Sequence, residues 1–455
     1  MLAILPKNLL PLAKSCPAPL YVVGGSVRDF LAGISALESD FDLCAPLSAE
    51  TFSQIAKDNG FTVQAVYANT GTVKLKDSDG TDFEFTCFRS DKYVRGKHSP
   101  AEIFFTNDIL LDAKRRDFTV NAIYYDIAAD RFLDPLNGIP AVSEKRLTTV
   151  DKPEKVFGED GLRLMRLARQ AAQLGFQPDS DCLRGATVNA HLIQDISAER
   201  IFSELLAILH AEEKYGNANG VFEGLTLLSK TGVLDVILPE LALGRNMAQR
   251  ADFHKYDVLT HSFKAACYAA PEIRLAALLH DVGKPLCQLR DGNVHAHPIE
   301  GETIADEILR RLKAPKKTAE RIKLLIRYHM YDFDCKAKEN KLRRFFIERQ
   351  EILDDLMLLK QADFSGCTDD LRTCPTNEKW QKILSKMQEE RVPFTPRELS
   401  VSGAELLELG IPPRYIALLL KEFLMHLAVN PAENKKERLL FLAPKFLKKL
   451  QETQP

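Results

Sequence analysis

Asp40 and Asp42 stand two apart in SDFDL (39–43). In a strand, positions i and i+2 point to one face, so both carboxylates would meet there. Two such acids repel unless a divalent cation or a basic group lies between them. An oxygen-rich cluster suits Mg²⁺, which keeps open positions for phosphate oxygens. The pattern alone also fits a solvated loop. Glu84, in DFEFTCFR, lies on one strand face while Phe83 and Phe85 lie on the other, and it would complete a triad. Three carboxylates holding two metals would activate a 3′-hydroxyl and stabilise a leaving pyrophosphate. Upstream, Gly24-Gly25 closes an apolar run in VVGGSVRD. Such a turn lets backbone N–H groups approach a ligand, and a helix starting there adds its positive end for phosphate. No GK[ST] follows and no GxGxxG is present, so this is neither of the familiar nucleotide loops.

A second constellation lies later in the chain. His261, His280-Asp281, His297, His329 and Asp363 occur in LTHSF, ALLHDVGKP, HPIEG, the stretch after 325 and LLKQADFSG. Histidine and aspartate on helices suit a divalent metal that activates water against phosphate esters.

The elements that must position these groups change along the chain. Residues 20–135 mix short strands (YVV, FDLCA, FTVQAVY, TVKLK, DFEFTCF, RFL) with a helix over TFSQIAKD closed by Gly60, and DSDG reads as a hairpin turn. After about residue 150 the strand signal fades. GEDGLRLMRLARQAAQLG, SAERIFSELLAILH and GVFEGLTLLSKTG have helical periodicity with glycine stops. From 254 onward the pattern stays helical. EERVPFTPREL (389–399) is the best late linker, followed by a helical module over 400–450. The first twenty residues read as a short amphipathic helix, because Pro6 and Lys7 break the apolar run.

At 455 residues with 45% hydrophobic and 27% charged residues, the chain belongs to the globular class and is long enough for several domains. The net charge is −2, so any nucleic-acid surface must be local. Lys316, Lys317, Arg321 and Lys323; Lys341, Arg343 and Arg344; and Lys445, Lys448 and Lys449 are the basic clusters. Nine scattered cysteines without a CxxC pair argue against a disulfide framework or a thiolate zinc site, and for a cytoplasmic protein. No apolar run reaches the ~20 residues of a membrane span.

GGSVRD, SDFDL, FEFTCFR, RRDFTVNAI (115–123), DPLNG (134–138), EDGLRLMRLARQAAQLGF (159–176) and SAERIFSEL (197–205) stand in a distinctive order. Over roughly 20–205 the chain resembles the class II CCA-adding tRNA nucleotidyltransferases and the closely similar bacterial poly(A) polymerases. The resemblance implies an α+β, polymerase-β-like head followed by an all-α neck, body, HD domain and tail, divided at 1–140, 141–245, 250–388 and 389–455. It implies Mg²⁺ on Asp40 and Asp42, with Glu84 as the third carboxylate. Gly24, Gly25 and Arg28 would contact the triphosphate, and Arg116, Asp117 and Asn121 the sugar and phosphates. DKYVRGKHSPAE (91–102) would be the flexible loop that switches from C to A addition.

Asp160, Arg163 and Arg166 fall at helical spacings of three, so one face would carry them, with Arg169 a further turn on. A carboxylate and a guanidinium held together can read a base edge, and the resemblance assigns that role to Asp160 and Arg163. The histidine-rich half resembles the HD phosphohydrolase superfamily. His261, His280, Asp281 and Asp363 would then ligate a divalent metal, Lys284 would hold phosphate, and His297 and His329 would be accessory. Some relatives carry such a domain with 2′,3′-cyclic phosphodiesterase or phosphatase activity. The tail LSVSGAELLELGIPPRYIALLLKEFL resembles the tail region of enzymes with this arrangement. The implied partners are tRNA, CTP and ATP, with no membrane. A poly(A) polymerase, a CC-only or A-only enzyme, and a nucleotide phosphohydrolase with an inactive head are the competing readings.

Overall fold

The structure is a computed structural model that describes residues 5–34, 41–98 and 100–453. Asp40 therefore lies outside the described residues. The chain forms two compact units, 1–242 with 311–314, and 243–310 with 315–455.

The first unit opens with the short helix Leu9–Ser15. A mixed sheet follows, built from β1 (Tyr21–Val23), β2 (Phe41–Ala45), β3 (Thr62–Tyr67), β4 (Thr72–Lys76) and β5 (Asp82–Cys87). The strands β6 (Arg89–Lys92) and β7 (Glu102–Phe105) pair with each other as a separate antiparallel hairpin. β8 (Tyr124–Asp126) and β9 (Arg131–Leu133) complete the main sheet, whose order is β3-β4-β5-β2-β1-β8-β9. The sheet is antiparallel except for β2 with β5, whose parallel register sets Asp42 beside Glu84. β5 alternates as expected, with Phe83 and Phe85 buried and Glu84 turned outward.

The helix Ala49–Asp58 covers one face of the sheet. Ser48 caps it by accepting from the Thr51 N–H. Its Phe52 stacks on Phe85 with ring centroids 3.7 Å apart, and both rings are fully buried. The turn between β4 and β5 is held by Asp77, whose Oδ1 accepts from the backbone of Asp79 and Thr81.

Beyond residue 150 the unit is helical, as the periodicity requires, with Leu162–Leu174, Ala198–Leu209 and Gly220–Lys230 as its main elements. One expectation fails here. The stretch around 160 is not one helix. Pro153–Glu159 ends at Asp160, and a new helix begins at Leu162. A side chain cannot be placed at Gly161, since a Cβ there would lie 2.6 Å from the Leu192 carbonyl. Asp160 turns its Oδ1 onto the Leu162 N–H, which supports the new helix start.

The second unit is all helical among the described residues. Val258–Tyr268 packs against Leu353–Thr368 so closely that a Cβ on Gly366 would lie 2.8 Å from the Ala265 nitrogen. That approach brings His261, one turn before Ala265, against Asp363, one turn before Gly366. The tail consists of Gly403–Glu408, Pro413–Leu427 and Lys436–Thr453. Ser402 and Glu405 form a reciprocal capping box at its start. Among the described residues no helix is long and apolar enough to cross a membrane.

Because Phe85 is the buried centre of the head sheet, Phe85→Ala should cost about 3–5 kcal/mol. Chemical denaturation followed by circular dichroism measures this.

Candidate functional site: an arginine-lined cleft and a histidine cluster

In the first unit a cavity of about 550 Å³ is lined by the turn at Gly24-Gly25, by Asp42, and by eight arginines. The turn needs glycine twice over. Gly24 has φ +82°, and a Cβ there would sit 3.0 Å from Asp42 Oδ2. The helix that follows is short, Gly25–Leu31. Asp42 is exposed on the strand face that looks into the cavity, whereas its neighbours Leu43 and Cys44 are buried. Glu84 is beside Asp42 in register, but its side chain is 47% exposed, lies 3.9 Å from Lys74, and does not line the cavity.

The arginines are held by buried acids. Arg28 donates to Asp29 Oδ1 at 2.6 and 2.8 Å and to Asn121 Oδ1 at 2.7 Å. Asn121 in turn donates to Asp117 Oδ1 at 2.8 Å. Asp117 Oδ2 accepts from Arg166 at 2.6–2.7 Å. Burial alone would raise the Asp117 carboxyl, yet Arg166, Asn121 and the Phe118 N–H hold it well below the usual carboxylate range. Asp112, fully buried, takes Arg115 at 2.7 Å, Arg116 at 3.2 Å and the Tyr124 hydroxyl at 2.7 Å. Arg169 pairs with Glu204 at 2.8 Å.

Asp160 and Arg163 both line the cavity, but they are not paired with each other. Asp160 Oδ2 is 2.8 Å from His98 Nδ1. Burial pushes the Asp160 carboxyl above its ordinary value, against the Leu162 N–H and Arg163. Arg163 donates to the carbonyls of Val156 (3.0 Å) and Arg115 (2.7 Å) and to Glu159 (3.2 Å), and its guanidinium lies 5.4 Å from the Tyr93 ring centroid. The one-face arrangement expected from spacing is thus replaced by a helix break that delivers Asp160 from the end of one helix and Arg163 from the next. The expected loop at 91–102 is instead anchored at both ends in the β6–β7 hairpin, and its Tyr93 and His98 reach the cavity.

Sequence reading missed Asp112, Arg115, Tyr93 and His98 individually. Asp112 precedes Arg115 and Arg116 by three and four residues, the spacing of a helical ion pair, so its signal was present. Nothing in the local pattern ties His98 to Asp160, which is far along the chain.

In the second unit every expected metal-ligating residue comes together. His261 Nε2 lies 3.1 Å from His280 Nε2, 3.1 Å from Asp363 Oδ1 and 3.4 Å from Asp281 Oδ2. Asp281 Oδ1 is 3.2 Å from His297 Nε2 and 3.7 Å from His329 Nε2. Lys284 is bound to Asp281 (2.6 Å) and Gln249 (2.8 Å), so any phosphate would compete with both. Lys360, one turn before Asp363, donates to the carbonyls of His329 (2.6 Å) and Tyr331 (2.7 Å) and fixes the end of that helix.

The residues fit a metal on internal grounds. His280, His297 and His329 lie with Nδ1 2.6–2.7 Å from the carbonyls of Ala277, Val294 and Ile326. A carbonyl only accepts, so each Nδ1 carries a proton and Nε2 is the atom turned toward the cluster. The Nε2 atoms of His297 and His329 then face each other across 3.1 Å, a contact relieved by a metal cation or by a proton on one of the rings. Burial opposes charge on His280, but Asp281 and Asp363 push it up to about 10; His329 is pushed down to about 4 by burial. Asp281 and Asp363 are held well below the carboxylate range despite their burial, chiefly by His280.

A mixed-sheet head with a glycine turn and carboxylate over an arginine-lined cleft, joined to a helical unit with a His/Asp cluster, defines a polymerase-β-like nucleotidyltransferase with an HD domain. Comparison with known proteins agrees. Residues 20–148 match the poly A polymerase head domain, 175–243 the family described as the probable RNA and SrmB-binding site of polymerase A, and 258–363 the HD domain. The chain is 31% identical to the CC-adding tRNA nucleotidyltransferase of Thermus thermophilus over 86% of this chain and 85% of that protein. It is 34% identical to a CCA-adding enzyme of Lactococcus lactis over 51% of this chain and 56% of that one. Its fold is similar to that of the Bacillus stearothermophilus CCA-adding enzyme solved with CTP, with a TM-score of 0.66, 23% identity, and 98% of each chain covered. The chain belongs to the tRNA nucleotidyltransferase family.

Gly24→Ala should displace Asp42 and lower nucleotide incorporation by about ten- to a hundredfold, with the melting temperature little changed. Asp117→Asn should cost about 2 kcal/mol at pH 7, read by denaturant titration. The folded Asp117 carboxyl lies below its unfolded value of ~3.9, so its stabilisation is full above that pH and is lost as pH falls further. The gap between wild type and Asp117→Asn should therefore narrow below about pH 4.

Proposed function

We propose that the protein adds C, C and A to the 3′ end of tRNA from CTP and ATP, without a nucleic-acid template. The observation that carries this reading is the cleft in which Asp42, Asp160 and eight arginines, Arg163 among them, converge. Gly24, Gly25 and Arg28 receive the triphosphate, and Arg116, Asp117 and Asn121 shape the sugar and phosphate end. Asp160 offers an acceptor and Arg163 a donor for a base edge. Reading a base requires Asp160 to exchange His98, and Arg163 its carbonyl partners, for that edge. Tyr93 and His98 belong to the loop expected to switch between C and A. Asp42, with Asp40, would hold Mg²⁺, which when bound supplies charge neutralisation and a more acidic 3′-hydroxyl; Glu84 would have to turn from Lys74 to join them. The head, neck, HD and tail divisions at 1–140, 141–245, 250–388 and 389–455 are the working domains of this reading, in the cytoplasm.

The HD cluster is proposed as a phosphohydrolase centre acting on 2′,3′-cyclic or terminal phosphates at damaged tRNA ends. His261, His280, Asp281 and Asp363, with His297 and His329, would hold a divalent metal. That metal would supply a bound water of lowered pKa. A second reading, a CC-only or A-only enzyme, is favoured by one observation: relatives aligned over 86% and 87% of this chain are named CC-adding and A-adding.

Asp42→Ala should abolish incorporation while tRNA still binds in a filter assay; retained incorporation sinks the head assignment. Arg163→Ala should scramble the choice of C against A before it lowers total incorporation. His280→Ala should lower the transition-metal content found by elemental analysis and remove cyclic-phosphate hydrolysis, with incorporation intact. Wild-type protein inert towards 2′,3′-cyclic phosphates with Mg²⁺, Mn²⁺, Co²⁺ and Ni²⁺ would contradict the hydrolase reading.

A further inference from the structure

The second unit contains another hollow, of about 490 Å³, away from the His/Asp cluster's own side chains. It lies between the C-terminal end of the helix Lys316–Tyr328 and the helix Glu339–Glu348. Its floor is aromatic. Tyr331 stacks on Phe345 with centroids 3.9 Å apart, and Tyr328 meets Phe345 edge-on at 5.6 Å. Its rim is cationic: Lys338, Lys341, Arg344 and Arg349, against the single acid Glu348.

The cations of this rim differ in state. Arg349 is satisfied by Glu348 (3.4 Å) and the Tyr328 hydroxyl (2.8 Å), and the neighbouring Arg343 is buried on Glu390. Lys338, Lys341 and Arg344 form no ion pair among the described residues, although all three are exposed. Lys341 and Arg344 share one helix face about 4.5 Å apart along the axis, and Lys338 is the extended residue just before the helix begins. Lys341 lies over the Tyr331 ring at 5.6 Å. Unpaired cations spaced along a helix beside tyrosine rings are the two halves of single-strand nucleic-acid recognition: phosphate neutralisation, and stacking that tolerates any base. One nucleotide would need one cation; a row of three fits a run of backbone.

We propose that this hollow binds single-stranded RNA: Lys341 leaves the Tyr331 ring for a phosphate, an unpaired base takes its place on that ring, and neighbouring phosphates rest on Lys338 and Arg344. The site is separate from the arginine-lined cleft and does not rest on which nucleotide that cleft adds. Tyr328 directly precedes His329, whose ring belongs to the His/Asp cluster, so RNA held here is close to that cluster within the same unit.

The test uses the full-length protein and a fluorescein-labelled single-stranded RNA decamer, read by fluorescence anisotropy. Lys341→Glu/Arg344→Glu should weaken binding at least about tenfold. Its plot of log affinity against log salt should be shallower by about 1.4, the single-strand value for two lost phosphate contacts. The control Lys316→Glu/Lys317→Glu makes the same charge change at exposed positions of the same unit and should change affinity less than twofold. A decamer carrying 4-thiouridine should photo-crosslink to the peptide containing Tyr328 and Tyr331. Unchanged affinity in the first variant, equal losses in both, or crosslinks confined to other peptides would overturn the proposal. Circular dichroism and an unchanged kcat for nucleotide incorporation show that the variants remain folded.

Discussion

Asp117 is a buried carboxylate that ties three parts of the cleft together. Through Arg166 it holds the helix Leu162–Leu174, and through Asn121 it fixes Arg28, which belongs to the helix after the glycine turn. Eight guanidinium groups converging on one cavity would repel each other strongly if left to themselves. Burying one acid under each small group of arginines solves this: Asp29 for Arg28, Asp112 for Arg115 and Arg116, Asp117 for Arg166, and Glu204 for Arg169. Removing one partner leaves an uncompensated buried charge, so the network acts as a unit. Its benefit is preorganisation. The cations are already aimed when a polyphosphate arrives, and little rotamer entropy remains to be lost on binding.

The two units differ in the donor type that each gathers. The head offers carboxylate oxygen beside a glycine turn, the surroundings of a hard, hydrated cation. The second unit offers imidazole nitrogen, with the rings of His280, His297 and His329 oriented by backbone carbonyls and Asp281 presenting one oxygen to His261 and His280 and the other to His297 and His329. Imidazole-rich sets favour transition metals. Lys360 and Gly366 serve this centre without entering it, one by pinning the carbonyl after the His329 ring's helix, the other by letting two ligand-bearing helices touch.

Much of this was legible in the residues because the chemistry needs particular types at particular spacings. The glycine turn, Asp42, the RRDFTVNAI arginine and acid, and all of the His/Asp set lie where their motifs put them. The strand alternation around Glu84 and the helical periods after 150 also hold. The break at Asp160–Gly161 was not legible, because apolar periodicity runs through it; only the Leu192 carbonyl packed on Gly161 requires it. Asp160 and Arg163 look like a ready pair in sequence, yet each is occupied by another partner, His98 or backbone carbonyls, that only the fold brings near. Glu84 reaches the expected register with Asp42 but turns its carboxylate to solvent near Lys74.

The central claim is that protein side chains, and not a nucleic-acid template, choose which nucleotide enters the cleft. Its most direct measurement incubates the protein with tRNAs ending before CCA, after C and after CC, giving CTP and ATP separately and together, and reads each product at single-nucleotide resolution. The account predicts two additions from CTP alone on the first tRNA, one on the second and none on the third. It also predicts a single A on the third from ATP alone, and exactly one finished end when both are present. Open-ended A addition from ATP, or addition of either nucleotide regardless of the tRNA end, would contradict it.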